Sequence, residues 1–386
     1  MTYHFDEIID RRNTNSLKWD VEEKELPMWV ADMDFQTAPE IREAIEKRAA
    51  HGVFGYSIIP EEWQQAYVDW WKLRHHFTME KDWLIFCTGV IPAISSTVRK
   101  LTTPAEKVVV MTPVYNIFFN SIYNNGRNVL ENKLIYEEDG YHIDFEDLEE
   151  KLSDPQTSLL IFCNPQNPGG KIWDRETIAR VGELCDKYHV LVISDEIHCD
   201  LTDPGKEYVP YASVSEICRN QCIMCIAPTK TFNIAGMQTA AVAVPNPVIR
   251  HKVWRALNTD EVAEPNAFAV DVAVAAFTKG GNWLDELRSY IKENKTTVIE
   301  YVKEQIPQLK VVPSDATYLL GLGSSASQAA ERIREATGLY LSAGEQFGKG
   351  GEDFLRMNIA CPRARVVEGL ERLKKGVEIL CSAGQK

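Results

Sequence analysis

Three polar residues stand just beyond apolar runs and offer, in chain order, an amide, a carboxylate and an amine. Ser158 to Cys163 leads into Asn164-Pro165-Gln166-Asn167-Pro168-Gly169-Gly170, and Val190 to Ser194 leads into Asp195-Glu196-Ile197-His198. Cys222 to Ile226 leads into Ala227-Pro228-Thr229-Lys230-Thr231-Phe232-Asn233. These are the groups that a pyridine-ring cofactor carried on an amine requires. A carboxylate beside the ring nitrogen keeps it protonated, so the ring can store the electron pair left when a proton leaves a substrate Cα. Asp195 suits that role, and the Asn167 amide can donate to the ring's phenolate oxygen. Lys230 would form the imine and, once a substrate amine displaces it, act as general base at Cα.

Each residue also has an ordinary reading. A lysine after a strand is usually a solvated surface group. Asp195-Glu196 can be a salt-bridge or helix-cap pair. Asn-Pro steps start turns well, which suits Asn164 and leaves Asn167 for the cofactor. It is the ordered set that lifts Lys230 above the ordinary reading.

The elements that must position these residues alternate. Apolar runs at Trp83 to Cys87, Lys107 to Met111, Ser158 to Cys163, Val190 to Ser194, Cys222 to Ile226 and Ala240 to Val244 read as strands. Between them lie amphipathic stretches such as Arg175 to Tyr188, where Ile178, Val181, Leu184 and Cys185 recur at helical spacing. This predicts an α/β fold with a mostly parallel sheet, whose ligands bind beyond the carboxyl ends of the strands. We expect a large domain over 46–285 and a smaller α+β domain from 1–45 and 286–386. The smaller one would hold a long helix near Trp283 to Glu304, strands at Leu309 to Val312 and Thr317 to Leu322, and a closing helix from Arg365 to Leu380. Leu26 to Phe35 has neither period and must pack against it.

The whole-chain numbers narrow the class. The 386 residues carry a formal net charge of -14, which argues against a nucleic-acid partner. No apolar run reaches membrane-span length, and the charged first residues leave no signal-peptide core, so a cytoplasmic protein is expected. The nine cysteines have neither disulfide-scaffold density nor metal spacing. Cys222 and Cys225 form a C-x-x-C without a second pair, and no metal site is expected.

With N-P-x-N-P-x-G, S-D-E-I-H and T-K-T-F-N-x-A-G in this order, the chain resembles the fold type I pyridoxal phosphate (PLP) enzymes. Within them it is similar to the carbon-sulfur β-lyase branch, the cystathionine β-lyase type known as MalY/PatB. The likeness runs from Trp29-Val30-Ala31-Asp32-Met33-Asp34-Phe35 to Arg356-Met357-Asn358-Ile359-Ala360-Cys361-Pro362-Arg363. It implies PLP as cofactor and a large domain built on a seven-stranded, mostly parallel sheet. It further implies that Gly89, Val90 and Ile91 hold the phosphate through backbone N–H groups, with Thr229 assisting. Tyr115 would stack on the ring, and Arg356 would grip the substrate α-carboxylate with backbone help near Ala31. Tyr56 would reach the neighbouring subunit's site, where it touches phosphate and substrate, which implies a homodimer. His198 stands where many aminotransferases have Tyr; an assisting role at the ring, one at the leaving group and a structural role all stay open. Arg363 reads as structural, and no base beside Cys361 makes it reactive.

The chain departs from the pattern at Ala227 (often Ser), at Gln238 (often Arg), and at Gly321 and Gly323 (commonly Trp and Asp in the lyase branch). The two glycines leave open a reshaped pocket or a loosened strand. The expected activity is β-elimination from an L-cysteine S-conjugate such as cystathionine. An aminotransferase is the main alternative, and a regulatory or binding role on the same fold a further one.

Overall fold

Why the strand runs are apolar on both faces becomes clear in the computed structural model, which describes residues 3–323 and 328–383. The strands β1 (Leu84–Cys87), β2 (Lys107–Thr112), β3 (Asn128–Lys133), β4 (Thr157–Cys163), β5 (Leu191–Asp195), β6 (Cys222–Ile226) and β7 (Ala240–Ala243) form one sheet in the order β1-β7-β6-β5-β4-β2-β3. All neighbours are parallel except β7, which is antiparallel to both β1 and β6. This is the mostly parallel seven-stranded α/β sheet. Alternate residues enter two separate cores: Leu160, Phe162, Val192, Met224 and Ile226 face one side, and Leu159, Ile161, Ile193 and Ile223 the other. A parallel sheet covered on both faces demands this. Cys222 and Cys225, three apart on one strand, therefore point to opposite cores and cannot share a metal.

The seventh strand, β3, has no counterpart among the apolar runs. It is one edge of the sheet, β1 being the other, pairs with β2, and buries only Asn132 of its six residues. An edge strand kept polar resists pairing with other chains, at the cost of a clear signal in the sequence.

Helix α1 (Val90–Leu101) follows β1, and α2 (Arg175–Lys187) follows β4. The start of α2 is set by Asp174, whose side chain accepts from the Thr177 N–H at 2.7 Å. A second, antiparallel sheet comes later in the chain: β8 (Lys310–Val311), β9 (Leu319–Gly323), β10 (Ser342–Ala343) and β11 (Phe354–Asn358), in the order β8-β9-β11-β10. The long helix α3 (Gly281–Gln305) precedes it and α4 (Arg363–Ala383) closes the chain. Gly321 on β9 is the Cα partner of Arg356 on β11. A Cβ there would lie 2.7 Å from Val312 Cγ2, so the glycine lets the chain beyond β8 close onto β9. The strand is tightened at Gly321, not loosened. At Gly323 an added Cβ would meet only ordinary contacts.

Candidate functional site

Register explains why three distant turns meet. Cys163, Asp195 and Cys225 are successive Cα partners across β4, β5 and β6, so the loops that follow leave the sheet at one level. Asp195 is buried, and its Oδ1 accepts from the Ile197 N–H at 3.1 Å. Burial, offset by that bond and by the Lys230 charge, pushes its carboxyl up to about 7. Glu196 turns the other way and holds the 208–211 segment: it accepts from Ser194 Oγ at 2.7 Å, from the Tyr211 N–H at 3.0 Å and from the Tyr208 hydroxyl. The pair is thus divided between site and scaffold.

Lys230 donates to the Ala31 carbonyl at 2.6 Å. Burial pushes its amine down to about 8; Asp32 and Asp195 oppose that and Arg356 reinforces it. An amine so shifted is far more often neutral, hence nucleophilic and basic, than an exposed lysine. Arg356 is buried and spans two elements. It donates to Asn167 Oδ1 at 3.3 Å, to the Trp29 carbonyl at 2.9 Å and to Ser342 Oγ at 3.3 Å, and lies 4.7 Å from the Phe347 ring centre. Its Nε is buried without a partner among the described residues. Because Asn167 spends its oxygen on Arg356, its amide N–H groups are left to donate elsewhere.

His198 is buried with Nδ1 unpartnered, edge-on to Tyr318 at 6.3 Å between ring centres. Burial, with Lys230 and Arg356 nearby, pushes it down to about 3, so the imidazole is neutral. Tyr115 is half-buried; burial raises its phenol, with Arg356 and Asp195 acting on it in opposite senses. Gly89 caps α1, where no side chain caps the helix, so the N–H groups of the first turn, at Val90 and Ile91, are not taken by a capping side chain. Thr229 is buried in the loop that carries Lys230, Ala227 brings no hydroxyl, and Gln238 is exposed. Tyr56 alone stands apart. It is fully exposed, in a segment whose Val53, Phe54 and Ile58 are exposed too. Arg363 ties helices together through Asn294 Oδ1 at 2.5 Å and Glu293 at 3.0 Å, and burial pushes the Cys361 thiol up to about 12.

The site also draws on residues that sequence reasoning did not assign. The aperiodic segment 28–33 is a strap whose carbonyls are each taken by a distant donor. Asn358 N bonds Met28 O at 2.8 Å, and Asn358 Nδ2 bonds the Val30 and Asp32 carbonyls, both at 2.6 Å. Asn233, three residues after Lys230, accepts from the Met33 N–H at 2.9 Å and donates to the Met33 and Phe35 carbonyls. Tyr318 donates to Ala31 O at 3.0 Å. Asn233 and Asn358 lie inside the motifs, and their signal was a polar residue within an apolar neighbourhood.

A PLP molecule fits this donor set. Asp195 is a carboxyl held high by burial, which the positive charge of a protonated pyridine nitrogen would offset. His198 Nδ1 is a polar atom without a partner, Lys230 is a buried amine and α1 presents an uncapped N-terminus. The model of the class I and II aminotransferases matches residues 24–373. The chain belongs to that family. Within it the chain groups with the PatB and MalY type: it is 40% identical over 382 residues to cystathionine β-lyase PatB of Bacillus subtilis, covering 96% of this chain and 99% of that one. Among solved structures it resembles cystalysin from Treponema denticola, which contains PLP, with a TM-score of 0.95, 32% identity and coverage of 98% of this chain and 100% of that one. It also resembles the PLP-bound C-S lyase from Staphylococcus hominis, with a TM-score of 0.92, 30% identity and coverage of 97% and 98%. Among the described residues no helix is long and apolar enough to cross a membrane.

Proposed function

We propose that this chain is a PLP-dependent carbon-sulfur β-lyase that converts L-cysteine S-conjugates such as cystathionine to a thiol, pyruvate and ammonia. The observation that carries the choice of reaction is the 40% identity, along almost the whole chain, to a cystathionine β-lyase. When bound, PLP supplies the electron sink for the pair left at Cα. Lys230 carries the cofactor and, once released, takes the Cα proton. Arg356, already oriented by Asn167 and Trp29, grips the α-carboxylate beside the strap at Ala31. Asp195 pairs with the ring nitrogen, Asn167 donates to the phenolate oxygen and Tyr115 forms the ring platform. His198, which burial keeps neutral in the cofactor-free chain, serves the ring as an uncharged hydrogen-bond partner.

Phosphate is held by the backbone of Gly89, Val90 and Ile91, by Thr229, and by Tyr56 of a second subunit. The exposed apolar segment around Tyr56 supports a homodimer, because such a patch is costly unless covered. All nine cysteines are free thiols, eight of them buried, which supports a cytoplasmic location.

Purified enzyme given L-cystathionine should release pyruvate and a free thiol stoichiometrically. Amino transfer to a 2-oxo acid without pyruvate would replace this reading with the aminotransferase one.

A further inference from the structure

Within the strap, the Ala31 carbonyl differs from its neighbours. Met28, Trp29, Val30, Asp32 and Met33 carbonyls are held by donors such as Asn358, Ser342, Arg356, Lys18, Arg11 and Asn233, none of which has to let go when the cofactor is taken up. Ala31 O instead accepts from Lys230 Nζ at 2.6 Å and from Tyr318 Oη at 3.0 Å. Lys230 must leave that carbonyl to carry the cofactor. Tyr318 does not move with it: its side chain is fully buried, its ring stands edge-on to His198, and its neighbour Leu319 is locked into β9 opposite Asn358.

We propose that Tyr318 is a positioning residue for Lys230, whose hydroxyl keeps the Ala31 carbonyl paired while the lysine is committed elsewhere. This deepens the lyase reading and rests on its assignment of Lys230. A part-buried carbonyl stripped of its last donor is unfavourable, so without Tyr318 the release of Lys230 is penalised. Both donors bond the same oxygen, one to each lone pair, and the hydroxyl's bond weakens that oxygen as acceptor for the lysine. Removing the hydroxyl therefore leaves the whole acceptor to the lysine ammonium and favours its charged form. Tyr318 itself is no acid here: burial raises its phenol far above the range in which it would surrender a proton to a thiolate.

The test compares wild type with Tyr318→Phe, which keeps the ring and its packing. PLP affinity is measured by equilibrium dialysis of the full chain. The pH midpoint of Lys230 is read in cofactor-stripped protein from its rate of trinitrophenylation, followed by peptide mass spectrometry. The expected result is about tenfold weaker PLP binding, the loss of roughly one neutral hydrogen bond, with the Lys230 midpoint moved upward. A Tyr318→Phe protein that is less heat-stable but has unchanged PLP affinity and an unchanged Lys230 midpoint would reduce Tyr318 to packing and overturn the proposal. Neither readout requires turnover, so failure of the lyase assay with cystathionine is a separate result.

Discussion

Asp195 shows how one residue can work against the stability of the cofactor-free chain. Its carboxyl rises from 3.8 to about 7 on folding, mainly through burial. Between those pH values the folded chain keeps a proton that the unfolded chain has released. Stability contributed by the protonated form is therefore present below about 4 and is lost as pH rises through about 7. Asp195→Asn removes the titration. Cofactor-stripped Asp195→Asn should be more stable than wild type at pH 8, by about 2 kcal/mol in urea unfolding, with the difference vanishing near pH 4. In the loaded enzyme of the proposed function the same change would remove the partner of the ring nitrogen, and kcat should fall by about 10²–10³-fold. A variant that gained no stability at pH 8 would show that the carboxyl is already paired without PLP. This residue was legible in the sequence because chemistry fixes its type and the strand end fixes its place. Tyr318 was not: nothing in Thr317-Tyr318-Leu319-Leu320 distinguishes a phenol that bonds a distant carbonyl from one that simply fills a core.

Elements that pair by β-branched, two-sided burial could be read directly, and β4, β5 and β6 lie within a residue or so of their apolar runs. Elements whose placement depends on distant partners could not. The edge strand β3 buries only Asn132, β10 is two residues long, and the 28–33 strap holds its course through side chains some 200 to 330 positions away. The same dependence makes Gly321 sensitive. Opposite Arg356 on the adjoining strand, it has no room for a Cβ while Val312 stays in place. Gly321→Ala should cost about 1–3 kcal/mol in thermal unfolding and raise KM more than it lowers kcat, because the strand that aims Arg356 must shift. Adding Val312→Ala removes the Cγ2 at 2.7 Å from the new methyl and leaves the Cβ at 3.1 Å, so it should return part of the lost affinity for substrate. Equal losses in the single and double variants would place the strain elsewhere.

At the scale of the molecule, the single chain brings Lys230, Asp195, Asn167 and Arg356 close together but leaves Tyr56 in solvent with Val53, Phe54 and Ile58. In the proposed two-fold dimer each chain would lend its Tyr56 to the site its partner builds. Subunit mixing tests this directly. A Lys230→Ala chain has no amine but an intact Tyr56, and a Tyr56→Ala chain has the reverse. If Tyr56 acts across the interface, a hybrid dimer holds one site with both residues and one with neither. After equal amounts are unfolded and refolded together, random pairing makes about half the dimers hybrids, so about a quarter of all sites are complete. Pyruvate release should recover to about that fraction of wild type, although each parent alone is far below it. If Tyr56 served its own chain, every site in the hybrid would lack one residue. Activity would then follow the ratio-weighted mean of the two parents at every mixing ratio.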